Sequence, residues 1–309
     1  MHVSGGVDRG TTMRHAYLIM AHNNFSQLKI LLSLLDDERN DIYLHIDAKV
    51  DRGVIPDLTD VVHKSTLQFV TPIPVVWGDY SQVACEMKLI QAAVSSGEYG
   101  YLHLISGIDM PLKSNDEIAR FFEKHNGKEF IAFAYTAMND GHSDDIKNRI
   151  ALYHPWQKQF GKSDPFAKKA VGKIQKIIGV NRLRSDPFKV IGKGSNWVSI
   201  TPDFANYLIA HADLVHKVFR SSLCADELFM QTMILNSPFA GNLYHPVSAD
   251  DNGDNLRLID WNRGTPYVFR SADYEELKNT PALFARKFDE NIDDRIIKRL
   301  QNDLTHENA

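Results

Sequence analysis

The sequence predicts an α/β fold in which a mostly parallel central sheet is flanked by helices. Two observations carry that expectation. From His15 onward, short β-like runs alternate with helix-like runs, the order that builds a parallel sheet covered on its faces. The chain has 309 residues, 43% hydrophobic and 24% charged, enough for one large core and close to the ordinary globular mixture.

The elements follow in order. HAYLIMA, DIYLHID, YLHLIS and EFIAFAY read as strands, because each is a short apolar run rich in β-branched or aromatic residues. Between them FSQLKILLSLL, YSQVACEMKLIQAAV and NDEIARFFEKH carry apolar residues at helical spacing. The segment from about Asn139 to Lys193 changes character, with a polar turn and then a stretch dense in Lys and Arg. A basic face beside aromatics can receive a polyanion, although a solvated helical surface is the commoner meaning of such a run. After it GSNWVSIT reads as a strand and PDFANYLIAHADLVHKVF as a helix with proline in its first turn. ELFMQTMIL reads as another helix and NIDDRIIKRLQNDL as an amphipathic closing one. Without repeats or a low-complexity linker, residues 13–309 are expected to form one domain. Residues 1–12 are set aside as a leader of polar, glycine-bearing composition.

Composition also bounds function. A formal net charge of −4 gives no global field for nucleic acid. Cys85 and Cys224 cannot make a disulfide framework and read as small buried hydrophobes, which together with the lack of a spanning run leads to an expectation of a cytoplasmic protein. Ligands of parallel sheets gather at the carboxyl ends of the strands. Here those ends carry His22-Asn23-Asn24, Asp47, and Ser106-Gly107-Ile108-Asp109.

Chemistry concentrates in LCADELFMQTM. Asp226 is accounted for as an acidic residue in a first helical turn. Glu227 opens the apolar stripe of Leu228, Phe229, Thr232 and Met233, where a carboxylate can sit at a cleft wall as a general base; structure and catalysis explain it equally. No Asp-x-Asp pair is present, and the Asp250-Asp251-Asn252-Gly253-Asp254 cluster reads as a turn. His45, Asp47 and His103 suggest a metallohydrolase, although each histidine lies inside an apolar strand run without a compact ligand set. Cations are plentiful near the carboxy terminus, namely Arg257, Arg263, Arg270, Arg286 and Lys287. They are interleaved with Trp261, Tyr267, Phe269, Phe284 and Phe288, a combination suited to a partly enclosed site for a polyanion.

The blocks YLIMAHNN, IYLHIDAK, WGDYSQVACEMKLIQ, YLHLISGIDMPLKS, GSNWVSIT, ADELFMQTMI, LRLIDWNR and LFARKFDE, in that order, resemble the core-2/I-branching enzyme family, glycosyltransferase family 14. The family includes β-1,6-N-acetylglucosaminyltransferases and peptide O-xylosyltransferases, and GSNW, DWNR and FARKF are similar to the latter. The resemblance implies a GT-A-type glycosyltransferase fold and an inverting transfer of N-acetylglucosamine or xylose from a UDP-sugar, with no metal. Carried over by position, it makes Glu227 the base. Donor contacts fall at Ala21, Asp47, Trp77, Ser106, Asp109, Arg286 and Lys287, with Arg263, or Arg270 in reserve, as a second arginine. On the acceptor side it implies Arg149, Asn196, Trp197, Asp260 and Trp261. The acceptor would be an oligosaccharide, polysaccharide or lipid-linked glycan. Lacking the anchor and the cysteine framework of eukaryotic relatives, the chain resembles a bacterial member that builds surface polysaccharide from the cytoplasmic side, with at most peripheral membrane contact. Two other classes stay open: a metal-dependent phosphoesterase using the His and Asp strand ends, and a non-catalytic glycan-binding module.

Overall fold

The computed structural model describes residues 13–136, 143–154, 165–185, 188, 190–247 and 254–307. Residues 1–12, most of the polar turn from Asn139, and Asp250 to Gly253 lie outside the described residues.

Strands β1 (His15–Ala21), β2 (Asn40–Ile46), β3 (Thr66–Phe69) and β4 (Tyr101–Ser106) join β8 (Ser199–Ile200) in a sheet of order β3-β2-β1-β4-β8. Every pairing is parallel except β4 with β8. A second sheet, β5-β10-β9, is made of β5 (Met110–Pro111), β9 (Arg257–Ile259) and β10 (Phe284–Arg286), and a ribbon pairs β6 (Tyr135–Thr136) with β7 (Gly192–Lys193). The helices are α1 (Phe25–Leu35), α2 (Ser81–Ser96), α3 (Asn115–Lys124), α4 (Ser143–Ala151), α5 (Pro165–Ile177), α6 (Pro202–Ala210), α7 (Ala212–Phe219), α8 (Phe229–Leu235), α9 (Tyr274–Asn279) and α10 (Glu290–Glu307). The α/β class and mostly parallel central sheet are those expected.

β1 pairs with β2 and β4 along its edges and is covered by helices on both faces, and its apolar run is continuous for that reason. Its residues divide by the two-residue period of a strand. Ala16 and Leu18 join the core on the α2 side with Val83 and Leu89, whereas Tyr17, Ile19 and Ala21 join Leu28, Leu32 and Phe122 from α1 and α3. α3 begins at a reciprocal cap in which the Ser114 hydroxyl accepts from the Glu117 amide and the Glu117 side chain accepts from the Ser114 amide.

Three segments depart from expectation. EFIAFAY is not a continuous strand: Phe130 makes one antiparallel bridge to Ser199, and only Tyr135 reaches the β6 ribbon. The run is apolar because Phe130, Ile131 and Phe133 are buried, a demand that tertiary packing makes without regular pairing. PDFANYLIAHADLVHKVF breaks at His211 into α6 and α7. Arg257, counted among the polyanion-binding cations, is fully buried. It donates to Ser199 Oγ at 2.9 Å and to the Val198 carbonyl at 2.7 Å, tying the small sheet to the large one.

Phe122 is fully buried against Tyr101, His103 and Phe130, with ring centroids 4.5 to 5.0 Å apart. Phe122→Ala should lower stability by about 3–5 kcal/mol in chemical denaturation; a loss below about 1 kcal/mol would contradict this account of the core.

Candidate active site

The carboxyl ends of β1, β2 and β4 end level with one another, since Ala21 is in register with Ile46 and Met20 with Ser106. Beyond them lies a cavity of about 330 Å³. Six residues expected from the sequence meet on its wall: Ala21, Asp47, Trp77, Ser106, Trp197 and Arg286. Gly107 lets two strand ends approach, because a Cβ there would lie 2.9 Å from that of Ala21.

Arg286, at the end of β10, is held on three sides. Its Nη1 donates to Asp109 Oδ1 at 2.7 Å and to the Ser106 hydroxyl, and its guanidinium lies 4.4 Å from the centroid of the Trp197 ring. Asp109 is itself buried at 1% exposure and accepts from the Ser106 amide and hydroxyl, at 2.9 and 2.7 Å. A buried carboxylate of this kind requires a cation. Asp109 therefore positions Arg286 from behind the wall, while Arg286 faces the cavity. Lys287 is half-buried and does not line the cavity.

The opposite wall is built on Asp47. Its Oδ1 accepts from the Lys49 amide at 2.9 Å, its Oδ2 accepts from the Val75 amide at 3.3 Å, and Lys49 Nζ lies 3.5 Å away. His22, expected at a strand end, also lines the cavity, together with Lys49 and Gln82, which were not singled out from the sequence. The adjacency of Asp47 and Lys49 in one quoted block was the available signal. Burial holds the His22 imidazole below its ordinary pKa.

Glu227 lies in a single turn of 3-10 helix, Ala225–Glu227, that precedes α8. Its side chain is 36% exposed, and Oε2 meets Arg149 Nη1 at 2.8 Å and Lys193 Nζ at 3.6 Å. The backbone of this turn is fixed to two flanking loops, with the Cys224 amide donating to the Gly78 carbonyl and the Gly194 amide to the Glu227 carbonyl. Arg149, expected on the acceptor side, is thus brought directly onto Glu227, and Lys193 joins it unpredicted.

Asp226 lies in the first turn, as expected, but its side chain is turned inward. It is buried, and Gln82 Nε2 donates to its Oδ2 at 2.9 Å while the Gly78 amide holds the other end of Gln82 at 2.6 Å. One turn along α2, Glu86 is fully buried and accepts from Asn196 Nδ2 at 3.1 Å. Burial first, and the charge of Glu227 second, push the Asp226 carboxyl up to about 7. Burial, then Asp226, raises Glu86 well above the carboxylate range against the opposing Asn196 bond. Asp226 Oδ1 and Glu86 Oε2 have no partner among the described residues. Two buried acids whose protonated forms are favoured by burial therefore back the turn that presents Glu227, and Asn196 supports this network rather than the cavity wall.

Asp260, Trp261, Arg263 and Arg270 do not line the cavity. Arg263 Nε bonds Asp260, and its two terminal nitrogens bond Asp273 at 2.6 Å and Glu276 at 2.7 Å. Three carboxylates occupy its donors, and Arg263 is directed to them rather than to the cavity wall. Arg270 and Trp261 are exposed. This loop follows β9, whose Ile259 is in register with Arg286, so it flanks the site from outside.

The histidines invoked for a metallohydrolase are engaged otherwise. His103 Nε2 lies 2.9 Å from His15 Nδ1 and its Nδ1 2.7 Å from Ser199 Oγ, while His45 Nε2 accepts from the Ile73 amide at 3.0 Å. Among the described residues no group of three His, Cys, Asp or Glu could hold a metal ion, and no helix is long and apolar enough to cross a membrane.

The sequence model of the family described as Core-2/I-Branching enzyme matches residues 15–281. The chain is 24% identical over 318 residues to Xylosyltransferase 2 of Canis lupus familiaris and 23% identical over the same length to that of Mus musculus. Each match covers 94% of this chain and 34% of the relative, so the chain spans about a third of the length of the curated relatives it matches. Among solved structures, the apo form of mouse Xyloside xylosyltransferase 1 aligns over 88% of this chain and 96% of its own at 12% identity, with a TM-score of 0.35.

A raised carboxyl pKa means that the folded state keeps a proton that the unfolded state releases between about pH 4 and 7. Stability should therefore fall as pH rises through that window. Buried Glu129, also pushed up to about 7, contributes in the same direction. Asp226→Asn, which mimics the neutral acid, should make the fall shallower in urea titrations across this range; an unaltered slope would contradict a neutral Asp226.

Proposed function

Since the chain belongs to the Core-2/I-branching enzyme family, we propose that it transfers a sugar from a UDP-sugar to a hydroxyl of a glycan acceptor, with inversion and without a metal. Arg286 is the observation that carries this reading. It is a cation fixed by Asp109, Ser106 and Trp197 in the wall of a cavity at the strand ends, the place where α/β sheets receive ligands. A leaving diphosphate needs its growing charge offset, and a preorganised guanidinium supplies bidentate donors at no cost of reorganisation during the reaction. Lys49 adds a second cation on the opposite wall, and Lys287 belongs to the same basic pair by sequence. Ala21, Asp47 and Trp77 line the space for the nucleotide.

In this reading Glu227 removes the proton of the acceptor hydroxyl as that oxygen attacks the anomeric carbon from the side opposite UDP. Arg149 and Lys193 orient its carboxylate at Oε2, leaving Oε1 for the acceptor. The sugar is xylose or N-acetylglucosamine; the similarity to proteins named xylosyltransferase favours xylose. The acceptor is a surface glycan and the setting cytoplasmic.

Glu227→Gln should reduce transfer from UDP-xylose or UDP-N-acetylglucosamine by at least about a hundredfold, because general base catalysis is worth that much. Uridine diphosphate binding, followed by calorimetry, should survive. Turnover retained in this variant would refute the assignment of the base. Arg286→Ala should instead weaken uridine diphosphate binding by about tenfold or more, the loss of one charge-assisted contact.

A further inference from the structure

Helix α5 is not used by the proposed chemistry, yet its surface is unusual. Ile174, Ile177 and Ile178 are 57, 83 and 69% exposed. Spaced three and four residues apart, they share one face at the end of the helix. Single exposed apolar residues are ordinary, whereas a contiguous group marks an interaction surface. A flanking side of the helix is anchored. Gln175 is buried, accepts from the Tyr153 amide at 2.8 Å and donates to the Tyr153 carbonyl at 2.9 Å. The isoleucines therefore project outward as a consequence of how α5 is docked.

Charge selects what they meet. From Phe166 to Ser185 the sequence holds six Lys and Arg and no Asp or Glu, within a chain of net charge −4. Lys173 and Lys176 beside the isoleucines are exposed and make no ion pair among the described residues. Tyr153, packed on the same helix, is 51% exposed with the Arg182 guanidinium 5.0 Å from its ring centroid. Apolar tips flanked by unneutralised lysines and an amphipathic aromatic suit a headgroup–acyl boundary, where lysine stems lie along apolar surface and their charges reach phosphate.

We propose that α5 docks this protein on an anionic lipid surface. Isoleucine burial and attraction of the lysines to anionic headgroups act together, as surface anchoring requires. A lipid surface supplies negative charge over a broad plane and needs no groove to match this convex helix end. The acidic remainder of the chain is repelled by the same plane, so that adsorption is oriented. The inference stands on α5 itself, independently of the transfer reaction.

Flotation of the full chain with phosphatidylcholine vesicles, with and without phosphatidylglycerol, tests it. Binding is expected only to the anionic vesicles and should decline with salt. Lys173→Gln combined with Lys176→Gln should weaken partition roughly 30-fold. Ile177→Ser combined with Ile178→Ser should abolish it, with the melting temperature unchanged in both double variants. Equal binding to neutral vesicles, failure to bind anionic ones, or unaltered binding by either variant would overturn the proposal. A solution dimer that Ile177→Ser dissociates would also overturn it, by assigning the face to a second copy.

Discussion

The ion pair between Arg286 and Asp109 is the contact on which the rest of the structure depends. It joins residues 177 apart in sequence and sets the carboxy-terminal β10 against the end of β4. Asp109 is all but sealed from water, so removing the arginine would leave a buried charge without compensation, an imbalance of several kcal/mol. The same arginine covers Trp197 and faces the cavity. One guanidinium thus both holds two parts of the fold together and lines the cavity, and the first role makes it rigid in the second place.

Around that contact the structure separates carboxyl groups by environment. Asp109 is kept beside a cation, Asp226 and Glu86 are pushed toward neutrality by burial, and Glu227 remains at the surface between Arg149 and Lys193. Adjacent residues in one turn, Asp226 and Glu227, differ in fate because a 3-10 turn directs one inward onto Gln82 and the other outward. Burial of Asp226 disfavours a second negative charge beside Glu227, which meets Arg149 and Lys193. Groups whose environments push their protonation apart are those suited to divide structural and acid–base roles.

Much of this was legible in the sequence. β1, α1, β2, α2, β4 and α3 appear where the alternation of periods put them, because their apolar residues face one continuous core and obey the spacing of their own backbone. Six wall residues were found through their position at strand ends or through family resemblance. Asp226 begins a turn as its position suggests, but helical spacing does not show which way a 3-10 turn aims it. Lys193, Gln82 and Glu86 gave no local signal, for their roles arise only when α2, β7 and the turn before α8 pack together. Arg263 looked like a ligand for phosphate because its acidic neighbours Asp273 and Glu276 lie ten and thirteen residues away, beyond what local patterning reveals. β3, short and largely exposed, carried no apolar run.

The central claim is that a fixed arginine, rather than a divalent cation, meets the diphosphate. A crystal structure with uridine diphosphate bound, grown with magnesium present, tests it most directly. The account predicts phosphate oxygens within hydrogen-bond distance of the Arg286 guanidinium, with the Asp109 pair intact. Phosphates bridged to the protein by a metal ion, or lying away from Arg286, would contradict it.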